Sequence, residues 1–402
     1  MQTLDVYIAA ATRTPIGAFL GALAELPAPA LASQAIAGLL EKTVLTPDAL
    51  LAAGQGQGIF GCVLPAGVGQ APARQAMRGA ALPDSIGALT INKVCGSGLM
   101  ALVLARQAIT LGEADWVLAG GMESMSRVPF LMPASARTGH KFGALSLNDS
   151  LIHDGLWDPY YNQHMGAATE VCIAQKNVSR EAQDAYAIES YTRARAAITS
   201  GVFEEELTPV TLKKGAVSQD EQPFKDDLDK LPTLKTAFVK ESGTITAGNA
   251  STLNDGAAAL LVASGAALER IHLAPMARIV ASAVYSQDPQ QFSTAPIGAI
   301  EAVLARAGLT IAQIDCFEIN EAFAAVPLFA MHALDIAHEK VNPRGGAVAL
   351  GHPIGASGAR IMTTLLHTIK QQQLRYGLAT LCIGGGEAVA MVVENCALDK
   401  GI

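Results

Sequence analysis

A cysteine, a histidine and an asparagine stand where the chain could present them to a reacting molecule. Cys95 follows the run Leu89–Val94 and precedes Leu99–Ile109, a stretch apolar at helical spacing that stops at Gly112, so it lies where a strand turns into a helix N-terminus. Unpaired backbone N–H groups and the positive end of the helix dipole favour a thiolate there. Gly96, Ser97 and Gly98 leave room for another molecule to approach the sulfur. The same position also suits a small buried core residue. His352 sits in the glycine-rich turn Gly351-His352-Pro353-Ile354-Gly355-Ala356-Ser357-Gly358, where an imidazole can transfer protons near neutrality or serve only structure. Asn320 closes the run Ile314–Ile319 ahead of the helix-like Glu321–Ala325, and an N-cap is its alternative role. No spacing rule brings the three together. The other histidines form no HExxH or comparable set, so no catalytic metal is expected. Gly56-Gln57-Gly58-Ile59-Phe60-Gly61 matches GxGxxG literally. With no strand leading into it and no carboxylate near Ala76 or Ala81 to hold a ribose, it is not expected to bind a nucleotide.

These residues need elements to carry them. Short apolar β-type runs alternate with longer Ala-rich stretches of helical spacing in residues 1–120 and again from about 275 to 402, the pattern of an α/β fold whose parallel sheets are covered by helices. Between them the texture changes. From Glu204 to Glu241, 15 of 38 residues are charged, and Pro209, Pro223 and Pro232 interrupt any long element. Residues 121–270 are therefore expected to form a largely loop-built insertion. The flanking regions echo one another, Leu89–Gly98 against Leu378–Gly386, each a run ending in a cysteine and small residues. An internal duplication leaves such a trace.

The chain has 402 residues, half of them hydrophobic, ample for the cores of two or three domains. Its 28 Lys and Arg against 36 Asp and Glu give a net charge of −8, which denies it the basic stripe a nucleic-acid partner requires. No run of about 18 apolar residues is present to span a membrane. The six cysteines are scattered without CxxC spacing. No presequence precedes the strand-like Asp5–Ala10, and no targeting tripeptide closes Asp399–Ile402. Reduced thiols and a cytoplasmic location are the expectation.

Five blocks, Asn92–Leu99, Gly120–Ser126, Asn320–Ala324, Gly346–Gly355 and Cys382–Gly386, resemble in order the signature blocks of the thiolase family. The resemblance covers essentially the whole chain. Asp154-Gly155-Leu156, His164-Met165-Gly166 and Ala247–Ser251 resemble its short-chain biosynthetic subgroup, the acetyl-CoA acetyltransferases. That resemblance implies an α/β fold of five layers, αβαβα, built from two similar halves with an inserted loop domain. Residues 1–120, completed by about 251–274, would be the N-terminal half, 121–250 the loop domain that covers the active site and binds CoA, and 275–402 the C-terminal half.

The implied activity is the reversible Claisen condensation of two acetyl-CoA to acetoacetyl-CoA plus CoA, by a ping-pong mechanism through an acyl-cysteine. A degradative 3-ketoacyl-CoA thiolase of broader chain length is the alternative, and a noncatalytic acyl-CoA-binding relative a more distant one. By resemblance Cys95 is the nucleophile. His352 activates it and donates to an oxyanion, Cys382 is the acid/base, and Asn320 holds a water beside His352. The N–H groups of Cys95 and Gly384 form a second oxyanion hole. Leu156, His164, Met165, Ala247, Ser251, Phe292 and Phe323 contact CoA or its acyl group, and CoA is substrate and product, with no covalent cofactor required. Some bacterial members carry an arginine where this chain has Gln222-Pro223-Phe224-Lys225, so adenine stacking is expected to differ. Ser190–Arg193 and Leu231–Phe238 resemble instead the potassium-responsive mitochondrial type, which makes Tyr191, Ala247, Ala250 and Val348 candidate K+ ligands, although Gly248 departs from that subgroup's alanine. A homotetramer is implied, with Val128–Pro133 as an association loop.

Overall fold

The computed structural model describes residues 4–225 and 227–398, so the closing Asp399–Ile402 lies outside the described residues. The chain opens with β1 (Val6–Arg13), α1 (Ala28–Thr43), β2 (Gly56–Gly61), α2 (Pro72–Gly79), β3 (Gly87–Ile91), α3 (Ser97–Thr110) and β4 (Trp116–Ser124). An excursion holding α4 (Met165–Lys176) and α5 (Arg180–Thr199) returns through β5 (Asn254–Ser264) and α6 (Gly265–Arg270). There follow β6 (Ala277–Ser286), α7 (Ala295–Ala307), β7 (Cys316–Ile319), α8 (Ala325–Leu334), the short α9 (Ala347–Leu350), α10 (Ser357–Gln371), β8 (Tyr376–Ile383) and β9 (Glu387–Asn395). Among the described residues no helix is long and apolar enough to cross a membrane.

The main sheet runs β7-β8-β9-β6-β1-β5-β4-β2-β3. Its midpoint is thin, with β1 meeting β6 only at Tyr7↔Arg278 and Ile8↔Ala277. Outward from that join, β5 is antiparallel to β1 and β4, and β2 and β3 are parallel to β4. On the other side β9 is antiparallel to β6 and β8, β7 is parallel to β8, and Phe317 bridges Val341 in parallel. The halves thus match strand for strand, as a duplication requires.

The match is not the one the echo suggests. Cys382 lies on β8, whose counterpart is β4, whereas Cys95 follows β3. The counterpart of the Cys95 turn is the His352 turn, each leading from an outermost strand segment into a helix of the central layer. Apolar residues ending in small ones mark a strand exit without saying which strand.

Alternation sorts the side chains into layers. Val117 and Ala119 of β4 join Leu99 and Leu102 of α3 and Ile361 and Leu365 of α10, with Leu381, Val389 and Met391 packing on the far side of these helices. Trp116 and Leu118 face the other way onto Leu31 and Ile36 of α1 and Met77 of α2. In the second half, Leu378 and Val392 face Ile300 and Val303 of α7 and Phe329 of α8. Strands buried on both faces read as unbroken apolar runs, and the five layers are α, β, α, β, α.

Several expectations need correction. Residues 121–270 hold much more regular structure than a loop-built insertion: α4, the 20-residue α5 and all 11 residues of β5. The buried face of α5 is made of Gln183, Asp184, Tyr186, Ala187, Ser190, Tyr191, Ala194 and Ala197, too polar and small to stand out as an amphipathic stripe. Gly56–Gly61 is itself strand β2, inside the sheet, and offers no phosphate-cradling turn.

Candidate active site

The turns bearing Cys95 and His352 are built alike. Before α3, Val94 adopts φ 47°, Asn92 Oδ1 accepts from its N–H at 2.9 Å, and Ser97 Oγ accepts from Lys93 N at 2.8 Å while donating to Val94 O at 2.7 Å. Before α10, Ser357 takes the corresponding place. Its Oγ donates to Pro353 O at 2.9 Å and lies 2.5 Å from His352 Nδ1. With the hydroxyl proton committed to Pro353, the network assigns the imidazole proton to Nδ1, leaving the Nε2 lone pair available. The main-chain N–H of His352 is fixed separately, donating to Asn254 Oδ1 at 2.9 Å.

Burial sets the protonation states. His352 is pushed down to about 3, first by burial and then by the positive charge of Arg360, so its imidazole is neutral at physiological pH. A helix N-terminus alone would favour a Cys95 thiolate. Here burial dominates and pushes the thiol up to about 11 against the N–H groups of Gly384 and of Cys95 itself, which pull it down. Cys382, fully buried on β8, is raised well above the ordinary thiol range by burial and then by the charge of Cys95. Two protonated thiols beside a neutral imidazole are the resting state.

Asn320 is not an N-cap. Its N–H extends the sheet ladder by donating to Thr380 O at 3.0 Å, and α8 begins only at Ala325. Both polar atoms of its side chain are buried without a hydrogen-bond partner among the described residues, and so is His352 Nε2. Buried amides in that condition are uncommon and point to a site for water or substrate.

Cys95, His352 and Gly384 line one cavity of ≈ 610 Å³, together with Leu156, His164, Met165, Ala247, Ser251, Phe292 and Phe323. Cys382 and Asn320 are absent from the lining, each buried to within 1 % of its surface. His164 accepts from Gly166 N at 3.0 Å, capping α4. Its ring stacks on Phe238 at 4.6 Å, and Phe238 meets Phe323 edge-on at 6.2 Å. Phe238 and Lys225 also line the cavity, and Lys225 pairs with Glu221 at 2.6 Å. Tyr191, Ala250 and Val348 are buried while Ala247 is exposed, and α5, which carries Tyr191, packs against α9, which carries Val348. No cluster of His, Cys, Asp and Glu is placed to hold a metal ion among the described residues.

Two carboxylates that sequence reasoning did not single out hold the site together. Glu123 on β4 accepts from Val63 N at 2.9 Å, Leu64 N at 3.2 Å and Gly355 N at 2.9 Å, and burial raises it to about 7. It ties the loop after β2 to the His352 turn. Glu321 accepts from Tyr186 Oη at 2.9 Å, Ser190 Oγ at 2.7 Å, Asn342 Nδ2 at 2.8 Å and Val348 N at 3.0 Å. It anchors the Asn320 segment to α5 and α9. A carboxylate set among small apolar residues, as in Gly120–Ser126 and Asn320–Ala324, was the available signal.

Comparison with known proteins agrees with this geometry. The family model for the thiolase N-terminal domain matches residues 6–266, and that for the thiolase C-terminal domain matches residues 273–395. The chain belongs to the thiolase family. Among its relatives, the mitochondrial acetyl-CoA acetyltransferase of Homo sapiens is 48 % identical over 97 % of this chain and 90 % of that protein. Acetyl-CoA acetyltransferase 2 of Arabidopsis thaliana is 47 % identical over 97 % of each. A cytosolic acetyl-CoA acetyltransferase of Gibberella zeae is 44 % identical over 97 % of this chain and 98 % of that one. The crystal structure of Acat5 thiolase from Ascaris suum in complex with coenzyme A superposes with a TM-score of 0.91 at 41 % identity, covering 97 % of this chain and all of that one. The thiolase fold therefore accounts for the five layers and the paired turns.

Proposed function

We propose that this thiolase is an acetyl-CoA C-acetyltransferase that reversibly condenses two acetyl-CoA into acetoacetyl-CoA and CoA. The observation that carries the reading is the convergence of Cys95, His352 and Gly384 on one cavity, where burial keeps the imidazole neutral. As the Cys95 thiol attacks a thioester, its proton passes to His352 Nε2 and stays there. An acyl-cysteine forms as the C–S bond to CoA breaks and the departing CoA thiolate takes the proton of Cys382, leaving that cysteine as the thiolate. The second acetyl-CoA then loses a methyl proton to the deprotonated Cys382. Its enolate oxygen needs donors aimed at it, and His352 with the water held by Asn320 supplies them. The enolate carbon attacks the acetyl group on Cys95, and the N–H groups of Cys95 and Gly384 receive the tetrahedral oxyanion. Its collapse breaks the bond to the Cys95 sulfur, which takes back the proton from His352 as acetoacetyl-CoA leaves.

The buried Phe292 bounds the acyl end in this reading, and the stacked His164 and Phe238, with Leu156, Met165, Ala247, Ser251 and Phe323, follow pantetheine and adenine. The same proposal takes 1–120 with 251–274 as one half, 121–250 as the loop domain and 275–402 as the other half. The phenol oxygen of Tyr191 with the carbonyls of Ala247, Ala250 and Val348 forms an all-oxygen set of the kind that replaces water around K+. The packing of α5 on α9 supports their convergence, and a bound cation would stiffen the cavity wall at Ala247. A homotetramer is supported by the arm after Val128, where Phe130, Met132 and Phe142 are 64 %, 59 % and 96 % exposed. No disulfide joins any of the six cysteines, which favours the reducing cytoplasm.

A coupled assay of CoA-dependent cleavage tests the reading. Acetoacetyl-CoA should be cleaved in strong preference to longer 3-ketoacyl-CoA, with parallel double-reciprocal plots for ping-pong kinetics. Equal rates on long chains would assign the chain to degradation instead.

A further inference from the structure

Below the catalytic turns lies a second group of buried polar atoms that these steps leave unused. Arg360 stands in the first turn of α10 and is 2 % exposed, yet none of its three guanidinium nitrogens has a hydrogen-bond partner among the described residues. Its charge faces Glu318 on β7, whose Oε2 is 3.7 Å from Nη1. The other oxygen, Oε1, is buried and likewise unpartnered. Cys316 packs into the central layer and Phe317 and Ile319 into the outer one, so alternation places Glu318 and Asn320 together on the α10 side.

Arg13 shows how the fold closes an ordinary buried guanidinium. It bonds Glu206 at 2.5 Å and Asp220 at 2.7 and 2.9 Å. Arg360 is held open by comparison, and dry burial of its five donors would be very costly. Groups of this kind are bridged by ordered water, each molecule making about three hydrogen bonds.

We propose that Arg360 and Glu318 are positioning residues that hold ordered water against the Asn320 amide, fixing the donor that meets the enolate of the second substrate. Guanidinium donors take the water oxygens, which turns their hydrogens toward Asn320 Oδ1 and the substrate. The same buried charge adds to the burial that keeps His352 neutral. This inference rests on the function proposed above and assigns the pair to carbon–carbon bond formation, separate from acetyl transfer to Cys95.

The test uses the full chain and two variants. The double variant Arg360→Met/Glu318→Leu removes both members, which leaves no orphan charge and is often neutral for stability. It should melt near the parent and acquire acetyl on Cys95 from acetyl-CoA at the parental rate, by intact mass. Condensation should fall about 10- to 100-fold, the range for groups that orient a catalytic partner at one remove, with KM for acetyl-CoA unchanged. Arg360→Lys, which keeps a charged donor, should retain most of the condensation rate. Parental condensation in the double variant, equal loss in both half-reactions, a Lys variant as slow as the double one, or a double variant that fails to fold would each overturn the assignment. Failure of the parent protein itself to acquire acetyl on Cys95 would instead overturn the underlying function.

Discussion

Gly98 of α3 and Gly358 of α10 meet where the two central helices touch at their heads. A Cβ on Gly98 would lie 2.6 Å from Ala359 N, and one on Gly358 would lie 2.2 Å from Leu99 N. Each helix therefore needs glycine where the main chain of the other passes. Cys95 and His352 stand on the turns leading into these heads, so this crossing is what delivers both to a single cavity.

Gly358→Ala should damage activity more than stability. Overpacking of this kind costs about 1–3 kcal/mol, and the strain relaxes by pushing the two turns apart. A modest fall in melting temperature is expected, alongside a loss of acetylated Cys95 and of condensation. Full activity at the parental melting temperature would show that the crossing tolerates a methyl group.

The pH dependence should lack the usual histidine signature. The working imidazole is neutral, and with His352 held at about 3 that form persists as pH falls through 6.5. kcat/KM for acetoacetyl-CoA cleavage should therefore show no acid limb from His352 between pH 5 and 8, and any limb near 7 should disappear in Glu123→Gln, since Glu123 is the site carboxyl that burial raises to about 7. For stability the sign runs the other way: below 6.5 the unfolded chain binds a proton at this residue that the folded one refuses. His352→Asn should accordingly lose less melting temperature than the parent between pH 7 and pH 5.

Glu123→Ala should cost both stability and catalysis. The N–H groups of Val63, Leu64 and Gly355 would lose their acceptor, at roughly 1–3 kcal/mol for each buried donor left unsatisfied. Because Gly355 belongs to the His352 turn, both half-reactions should slow together. That equal loss distinguishes this structural tie from the Arg360 pair. Retention of either half-reaction at the parental rate would contradict it.

What could be read in advance was local. A cysteine before an apolar helical run and a histidine in a glycine-rich turn show themselves because strand, turn and helix follow one another within a dozen residues. Asn320 was ambiguous, since an asparagine after a strand is equally at home as a cap, and only its orphaned amide separates the roles. The pairing of halves was misleading in detail because Cys382 and Cys95 share neighbours of one kind on topologically different strands. Helix α5 escaped notice because its buried side includes Gln183, Asp184 and Ser190, held by contacts from distant segments. Glu123 and Glu321 act through backbone donors far along the chain, and no local pattern encodes those partners.

The two cysteines should separate cleanly. Cys95→Ala removes the acyl acceptor, so neither acetyl labelling nor condensation should survive. Cys382 lies on β8 outside the cavity lining, with a thiol raised by burial and by the charge of Cys95. That placement suits a base for the second substrate better than a first nucleophile. Cys382→Ala should still acquire acetyl on Cys95, seen as a mass increase of about 42 Da expected for an acetyl thioester. Its condensation rate should fall by about 10² to 10⁴, the usual contribution of a positioned acid/base. Intact-mass measurement after mixing each variant with acetyl-CoA decides between the roles. Labelling of the Cys95 variant, or parental condensation in the Cys382 variant, would exchange or cancel the assignments of nucleophile and base.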